Sequence, residues 1–228
     1  MGMLLILSSV FLGAGEADLP ESYLERVAQA MEYARAEAPD MTAAAEEAAR
    51  RFASFGRFWA AGQPGLVSEL SGRAGGFMML RALGDVVPAA GDVVMYFPEN
   101  GAPLPEAQLA PKPYVITFGS CDNAAGVCFS NHAERFGLSQ TLANAIPGWL
   151  FTGELIAALT RLGKMPVIYE SIGAYGGNAR ITQYKNGEIA FHDGQSVPPV
   201  PAGVIANRFI EIITGMLRRV AREEGALL

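Results

Sequence analysis

The sequence predicts an α/β fold: a three-layer α/β/α sandwich with a central, mostly parallel sheet of about five strands. Three observations carry this. Short apolar runs alternate with helical stretches along the chain, the order that parallel βαβ units produce. The runs are continuously apolar, as in Val93-Val94-Met95-Tyr96-Phe97 and Tyr114-Val115-Ile116-Thr117-Phe118, which fits strands covered on both faces. Finally, 228 residues, 50% apolar and 18% charged, suffice for one buried core and exclude a mainly disordered chain.

The first element is the apolar run Met3 to Leu12, followed by Gly13, Ala14 and Gly15. It is too short to span a bilayer, which needs about 20 residues. Its length suits the core of an export signal, yet no Lys or Arg precedes it. The competing reading is a buried first strand or helix. The domain proper is expected over residues 18–228, with 1–17 as an N-terminal extension.

Asp18-Leu19-Pro20-Glu21 signals a helix start, and Tyr23, Val27, Ala30, Met31 and Ala34 follow at helical spacing. A second helix runs from about Met41 to Ser54 on an alanine stripe and stops at Gly56. Phe58-Trp59-Ala60-Ala61 reads as a buried strand, Gly62-Gln63-Pro64-Gly65 as a tight loop, and Leu66 to Leu80 as a helix weakened by glycines. Residues 92–97 and 114–118 are strands. Residues 121–145 give no clear period. Pro147-Gly148 is expected to open a helix from Trp149 to Leu162, and Met165 to Tyr169 a further strand. Short strands are possible at 180–184 and 188–192. A terminal amphipathic helix spans Asn207 to Glu224, with Phe209, Ile212, Ile213, Met216, Leu217 and Val220 on one side.

Composition excludes several functions. A net charge of −6 and no basic block argue against nucleic acid as a partner. Two histidines and two cysteines do not make a zinc signature, and no metal or cofactor is expected. Cys121 and Cys128 either bridge, if the chain is exported, or pack as small buried residues. No stretch of the length and apolarity of an integral span is read. No Gly-x-Ser-x-Gly elbow accompanies the serines.

In parallel sheets, ligands sit beyond the carboxyl ends of the strands. Those ends are expected at Gly62-Gln63, Pro98-Asn100-Gly101, Ser120-Asp122 and Glu170-Ser171. The stretch from Phe58 to Glu69 has the strand–loop–helix form of an anion cradle, although it matches neither the dinucleotide nor the Walker A fingerprint.

Trp59 to Leu70, with Gly62-Gln63-Pro64-Gly65 and Ser68-Glu69, followed by Arg73-Ala74-Gly75-Gly76, resembles the first ligand loop and helix of the SIS (sugar isomerase) domain. Gly91 to Val94 leading to Asn100-Gly101 and Pro105-Glu106 resembles its second loop. Gly153-Glu154-Leu155, then Leu162 to Ser171 and Gly176-Gly177-Asn178, resembles its last helix and strand. The likeness covers roughly residues 20–185 with gaps. It implies a Rossmann-like SIS fold and sugar or sugar-phosphate binding, with aldose–ketose isomerisation as the associated chemistry. It also implies pairing through helices into a homodimer, for which the apolar helix 149–162 is suited. It starts near Pro20 without residues 1–17, which tips the terminus toward an export signal and the chain toward a periplasmic or extracellular place over a cytoplasmic one.

The resemblance assigns Glu69 and Glu154 as the proton-shuttling carboxylates. Together with the strand-end positions, it marks Gly62, Gln63, Gly65, Ser68, Asn100, Gly101, Ser120, Ser171 and Asn178 as expected ligand residues. Glu154 lies in an apolar helix, so it is either a site residue or half of a buried ion pair, with Arg161 two turns on. The chain departs from the family at two loops. Pro64 stands where the first-loop serine would be, and Phe97-Pro98-Glu99-Asn100 replaces Ser-x-Ser-Gly. Glu99 would repel a phosphate at short range. Sugar or sugar phosphate remains the expected ligand, with a neutral or amino sugar, or no ligand at all, more in keeping with these loops than with those of an ordinary SIS domain. His132 is a candidate acid or base, or a surface loop histidine. The second functional reading is a non-catalytic, dimeric structural or sensing protein.

Overall fold

Five strands form one sheet in which every neighbour is parallel: β1 (Phe58–Gly62), β2 (Leu80–Ala82), β3 (Val93–Phe97), β4 (Tyr114–Gly119) and β5 (Val127–Ser130), in the spatial order β2-β1-β3-β4-β5. The structure, a computed structural model, describes residues 20–54, 56–122, 124–169, 177–185 and 197–225. The extension 1–17, Glu170, Ser171 and residues 188–192 lie outside them. The helices are α1 (Pro20–Ala34), α2 (Ala38–Ala53), α3 (Pro64–Gly72), α4 (Glu106–Leu109), α5 (Ala133–Phe136), α6 (Gln140–Arg161), α7 (Gly177–Lys185) and α8 (Val204–Gly225). A short 3₁₀ turn at Arg35–Glu37 joins α1 to α2.

The sheet is buried on both faces, and the layers are unequal. Phe58, Ala60, Val93, Met95, Phe97, Ile116, Phe118 and Phe129 point into a large core beneath α2, α3 and α6. There the rings of Phe97 and Phe118 stack at 5.0 Å and Phe118 meets Phe151 of α6 at 5.6 Å. Helices α1 and α8 pack on each other and on α6, a second helical layer. The alternate strand residues Trp59, Val94, Tyr96 and Val115 face the other way. They share a small core with Leu83 and Leu104, bordered by Leu109 of α4 and Ala125.

This division follows from the strand order. The β1–β2 connection steps toward one edge and runs on the thick face, where Leu66 and Leu70 of α3 enter the large core. The later connections step toward the other edge and supply Leu83, Leu104 and Ala125 to the thin face. Opposite steps on opposite faces give every crossover the same hand.

Several expected elements differ. The helix expected to open at Pro147 begins at Gln140 and carries Pro147 inside it. Ser139 caps it, its hydroxyl accepting the Leu142 N–H at 3.4 Å. Helix α6 is long and apolar enough to cross a membrane, but 83% of that window is buried inside the domain. It is therefore a core helix of the domain. Met165 to Tyr169 does not join the parallel sheet. It bridges antiparallel to the residues before β2, through Met78 N–H to Val167 O (3.2 Å) and Tyr169 N–H to Gly76 O (2.8 Å). The expected fourth ligand end is thus not a carboxyl end of this sheet. The sheet is completed by β2 and β5 instead. Residues 180–184 lie in α7.

Candidate functional site

The topological switch lies between β1 and β3, and it is closed. Gly62 takes φ +96°, and a Cβ there would lie 1.8 Å from the Phe97 carbonyl oxygen, so only glycine fits. The Gln63 N–H donates to that same carbonyl at 2.8 Å. Gln63 occupies the N-cap of α3 without a side-chain capping bond. It is 9% exposed, and its Oε1 is buried with no hydrogen-bond partner. The anion cradle expected here is mostly spent. Pro64 has no N–H, and the amides of Leu66 and Val67 both donate to the Gln63 carbonyl at 3.1 Å. Gly65 and Ser68 are exposed on the same helix.

A cavity of about 380 Å³ opens one strand further along, at the carboxyl ends of β3 and β4 on the thin face. Tyr96, Pro98, Gly101, Thr117, Ser120 and Asp122 line it, with Leu104 and Leu109. Its polar groups are already oriented. The Tyr96 hydroxyl donates to the Ala102 carbonyl, and burial together with the charge of Glu99 pushes its pKa up. Thr117 Oγ1 donates to Ala125 O at 3.0 Å, and Ser120 Oγ donates to Asp122 Oδ2 at 3.2 Å. No Lys or Arg is among the described lining residues. A disulfide joins Cys121 to Cys128 beside this wall, the bridged alternative of the sequence reading.

The nine expected ligand residues do not all converge. Gly101 and Ser120 line the cavity. Asn100 sits beside Gly101, exposed and at φ +52°. Gly62, Gln63, Gly65 and Ser68 belong to the neighbouring strand end. Asn178 is exposed in the first turn of α7, where its carbonyl accepts the Thr182 hydroxyl. Ser171 lies outside the described residues.

Neither expected catalytic carboxylate lines the cavity. Glu154 is fully buried and its oxygens are taken. Oε2 accepts from Thr42 Oγ1 and the Gly203 N–H, both at 2.8 Å, and Oε1 accepts the Ala206 N–H at 3.0 Å. A carboxylate at the first turn of α8 satisfies orphan amides and complements the helix dipole. The expected pairing with Arg161 is absent. Arg161 reaches Val200 O and Glu46 Oε1 instead, each at 2.8 Å. Glu69 is buried in the second turn of α3, against the main core, with Arg73 Nε at 2.8 Å. Burial raises its pKa and Arg73 opposes that rise.

His132 is half-buried in the left-handed region at φ +48°. Its Nδ1 lies 3.4 Å from Ser130 Oγ and its Nε2 3.5 Å from Glu37 Oε1. Burial pushes Glu37 up, and His132 counteracts it. Ser130 also accepts the His132 backbone N–H at 3.4 Å, so this contact is a local turn on a strand end.

Sequence reasoning missed Tyr96 and Thr117. The signal was present: each interrupts an apolar strand with a hydroxyl, one position before a phenylalanine that faces the large core. Period-two alternation puts both hydroxyls on the opposite, thin face. Comparison with known proteins supplies no assignment: no protein-family model matches the chain, and no curated protein matches it.

Proposed function

We propose that this chain is a sugar-derivative-binding protein of SIS type that holds its ligand without isomerising it. The observation that carries this is the cavity at the carboxyl ends of β3 and β4, with an acid and three hydroxyls and no described cation in its lining. A phosphosugar would bring up to about two negative charges toward Asp122 and Glu99. A neutral or amino sugar brings none. Tyr96, Leu104 and Leu109 give the ring an apolar surface, and Asp122 and Ser120 give its hydroxyl or ammonium groups partners.

Binding without turnover is favoured by the carboxylates. A general base must reach the proton that it moves. Glu154 is enclosed and saturated by three donors, and Glu69 is paired with Arg73 outside the cavity.

A thermal-shift series on the full chain tests this, with glucose, glucosamine and their 6-phosphates as probes. A ligand at a hundred times its Kd stabilises by about 2.7 kcal/mol, which raises Tm by roughly 5–10 °C at this chain length. The expected result is a rise with glucosamine, a smaller rise with glucose and none with the phosphates. A rise with the phosphates alone, or turnover of any of them, overturns the proposal.

A further inference from the structure

We infer that the Cys121–Cys128 disulfide is a redox latch on the thin-face cavity. Reducing it releases the wall formed by Ser120, Asp122 and Ala124, and the cavity loses its shape. This rests on the reading of that cavity as the ligand site.

The argument starts from chain length. Strands β4 and β5 are parallel neighbours, with Gly119 opposite Ser130 and Thr117 opposite Cys128. Parallel neighbours ordinarily need a crossover of about a dozen residues or more, usually helical. Here only residues 120–126 make the return, with no helix among the described ones. Such a connection cannot build a core of its own, so its position depends on what ties it to the sheet.

The two ends are tied differently. At the far end, Gly126 takes φ +73°, and a Cβ there would lie 2.2 Å from the Val115 carbonyl oxygen. Ala125 O accepts the Thr117 hydroxyl, and Ala125 borders the small core. That end is pressed onto β4. At the near end, the described hydrogen bonds stay within the connection: Ser120 Oγ to Asp122 Oδ2, Asp122 N–H to Ser120 Oγ, and Ala124 N–H to Cys121 O at 3.3 Å. Beyond the peptide link of Ser120 to Gly119 of β4, the bond from Cys121 to Cys128 in β5 is the tie to the sheet that the described residues show for this half. This half also supplies Ser120, Asp122 and Ala124 to the cavity.

Cys121 is exposed, so a reductant can reach it. The thiolate of a small dithiol attacks Cys121 Sγ, forming a mixed disulfide and expelling Cys128 as a thiolate, which takes a proton. The second thiol of the reductant, as its thiolate, then closes the reductant's own disulfide and expels Cys121, which is protonated in turn. The protein gains two electrons and two protons, and the dithiol loses both.

The test compares the full chain before and after dithiothreitol, with thiol alkylation and mass measurement confirming complete reduction. Hydrogen exchange is followed over the first minutes. The expected result is exchange at residues 120–124 faster by about tenfold or more, while amides of β1 and β3 stay protected in both forms. Glucosamine binds the reduced chain more weakly by a similar factor, and the Cys121→Ser/Cys128→Ser variant behaves as the reduced chain does. Unchanged exchange at 120–124, loss of β1 and β3 protection within the same minutes, or equal glucosamine affinity in both forms overturns the latch. If glucosamine binds neither form while the local exchange rises, the latch stands and the sugar reading falls.

Discussion

The two faces of the sheet are built from the same strands and do opposite things. On the thick face, the odd-numbered side chains of β3 enter a core shared with α1, α2, α3, α6 and α8, and a charged group such as Glu154 is surrounded on every side. On the thin face, Tyr96 and Val94 meet one short helix and three connections, and a cavity remains. Connections that lack helices bury less apolar surface, so this side contributes less to stability. The same shortage leaves a cavity with polar groups in its lining. The contrast is that the buried charge of Glu154 serves the architecture of the thick face, whereas the thin face leaves Ser120 and Asp122 exposed beside a cavity.

The largest break of that contrast is Glu154→Ala. It leaves the half-buried Gly203 amide and the buried Ala206 amide without an acceptor and removes the anchor between α2, α6 and α8. Orphaned amides and a lost charge-assisted network cost about 3–4 kcal/mol together. At this chain length Tm should fall by roughly 6–16 °C. Scanning calorimetry reads the fall, and titration of the still-folded variant with glucosamine should give the wild-type affinity. Lost affinity with unchanged Tm would mean that Glu154 serves a ligand, and the contrast would fail. Next is Cys121→Ser/Cys128→Ser on the thin face. Closing a loop of this size stabilises by about 2.5 kcal/mol in the chain-entropy account. Urea titration of the double variant should recover a loss of that order.

How much of this was legible follows the same division. The parallel sheet, α1, α2, α8 and three strands could be read because their apolar residues recur with the period of the element. Strand β5 and the start of α6 could not. A crossover as short as residues 120–126 is rare, and Pro147 looks like a boundary although α6 continues through it, held in place by its neighbours. Ser139 was the overlooked start signal. At the site, Gly101 and Ser120 were found from their place at strand ends, and Tyr96 and Thr117 were passed over as core. An apolar helix around Glu154 says that its carboxylate needs partners, and points to a site residue or an ion pair. That its partners were amides of a helix distant in the chain depends on packing that no local pattern encodes.

Asp92 sharpens the comparison at the opposite end of the sheet. Its carboxylate accepts from the Arg57 and Ala89 amides, from Trp59 Nε1 at 2.9 Å and from the Arg57 guanidinium. Burial pushes its pKa up, but these donors outweigh burial and hold it below the usual aspartate value. It thereby positions Trp59, the largest side chain of the thin-face core. A depressed folded pKa gives stability that is present above the unfolded value and disappears as pH falls through the folded one. Asp92→Asn should cost about 2 kcal/mol at pH 7, and the gap to wild type should close as pH drops through and below the ordinary aspartate range. Urea midpoints across that range check both parts.

The smallest effect belongs to Glu69 and Arg73, and it separates a buried carboxylate held in the core from one at its edge. Glu69 is enclosed, while the Arg73 side chain is 52% exposed. Burial raises the folded pKa of Glu69, so its contribution is fully present below the unfolded value and is lost as pH rises through the folded one. Arg73 opposes that loss. Removing it with Arg73→Ala should raise the Glu69 pKa further and cost about 0.5–1 kcal/mol near pH 7, the size of an exposed pair. Below the ordinary glutamate range the carboxyl is neutral in both proteins, and the difference should vanish. Urea titrations at the two pH values measure it. A cost that is equal at both would place the effect of Arg73 in packing of its aliphatic stem over α3, and Glu69 would then be free to act as the proton-moving group that its position beside the first strand end suggested.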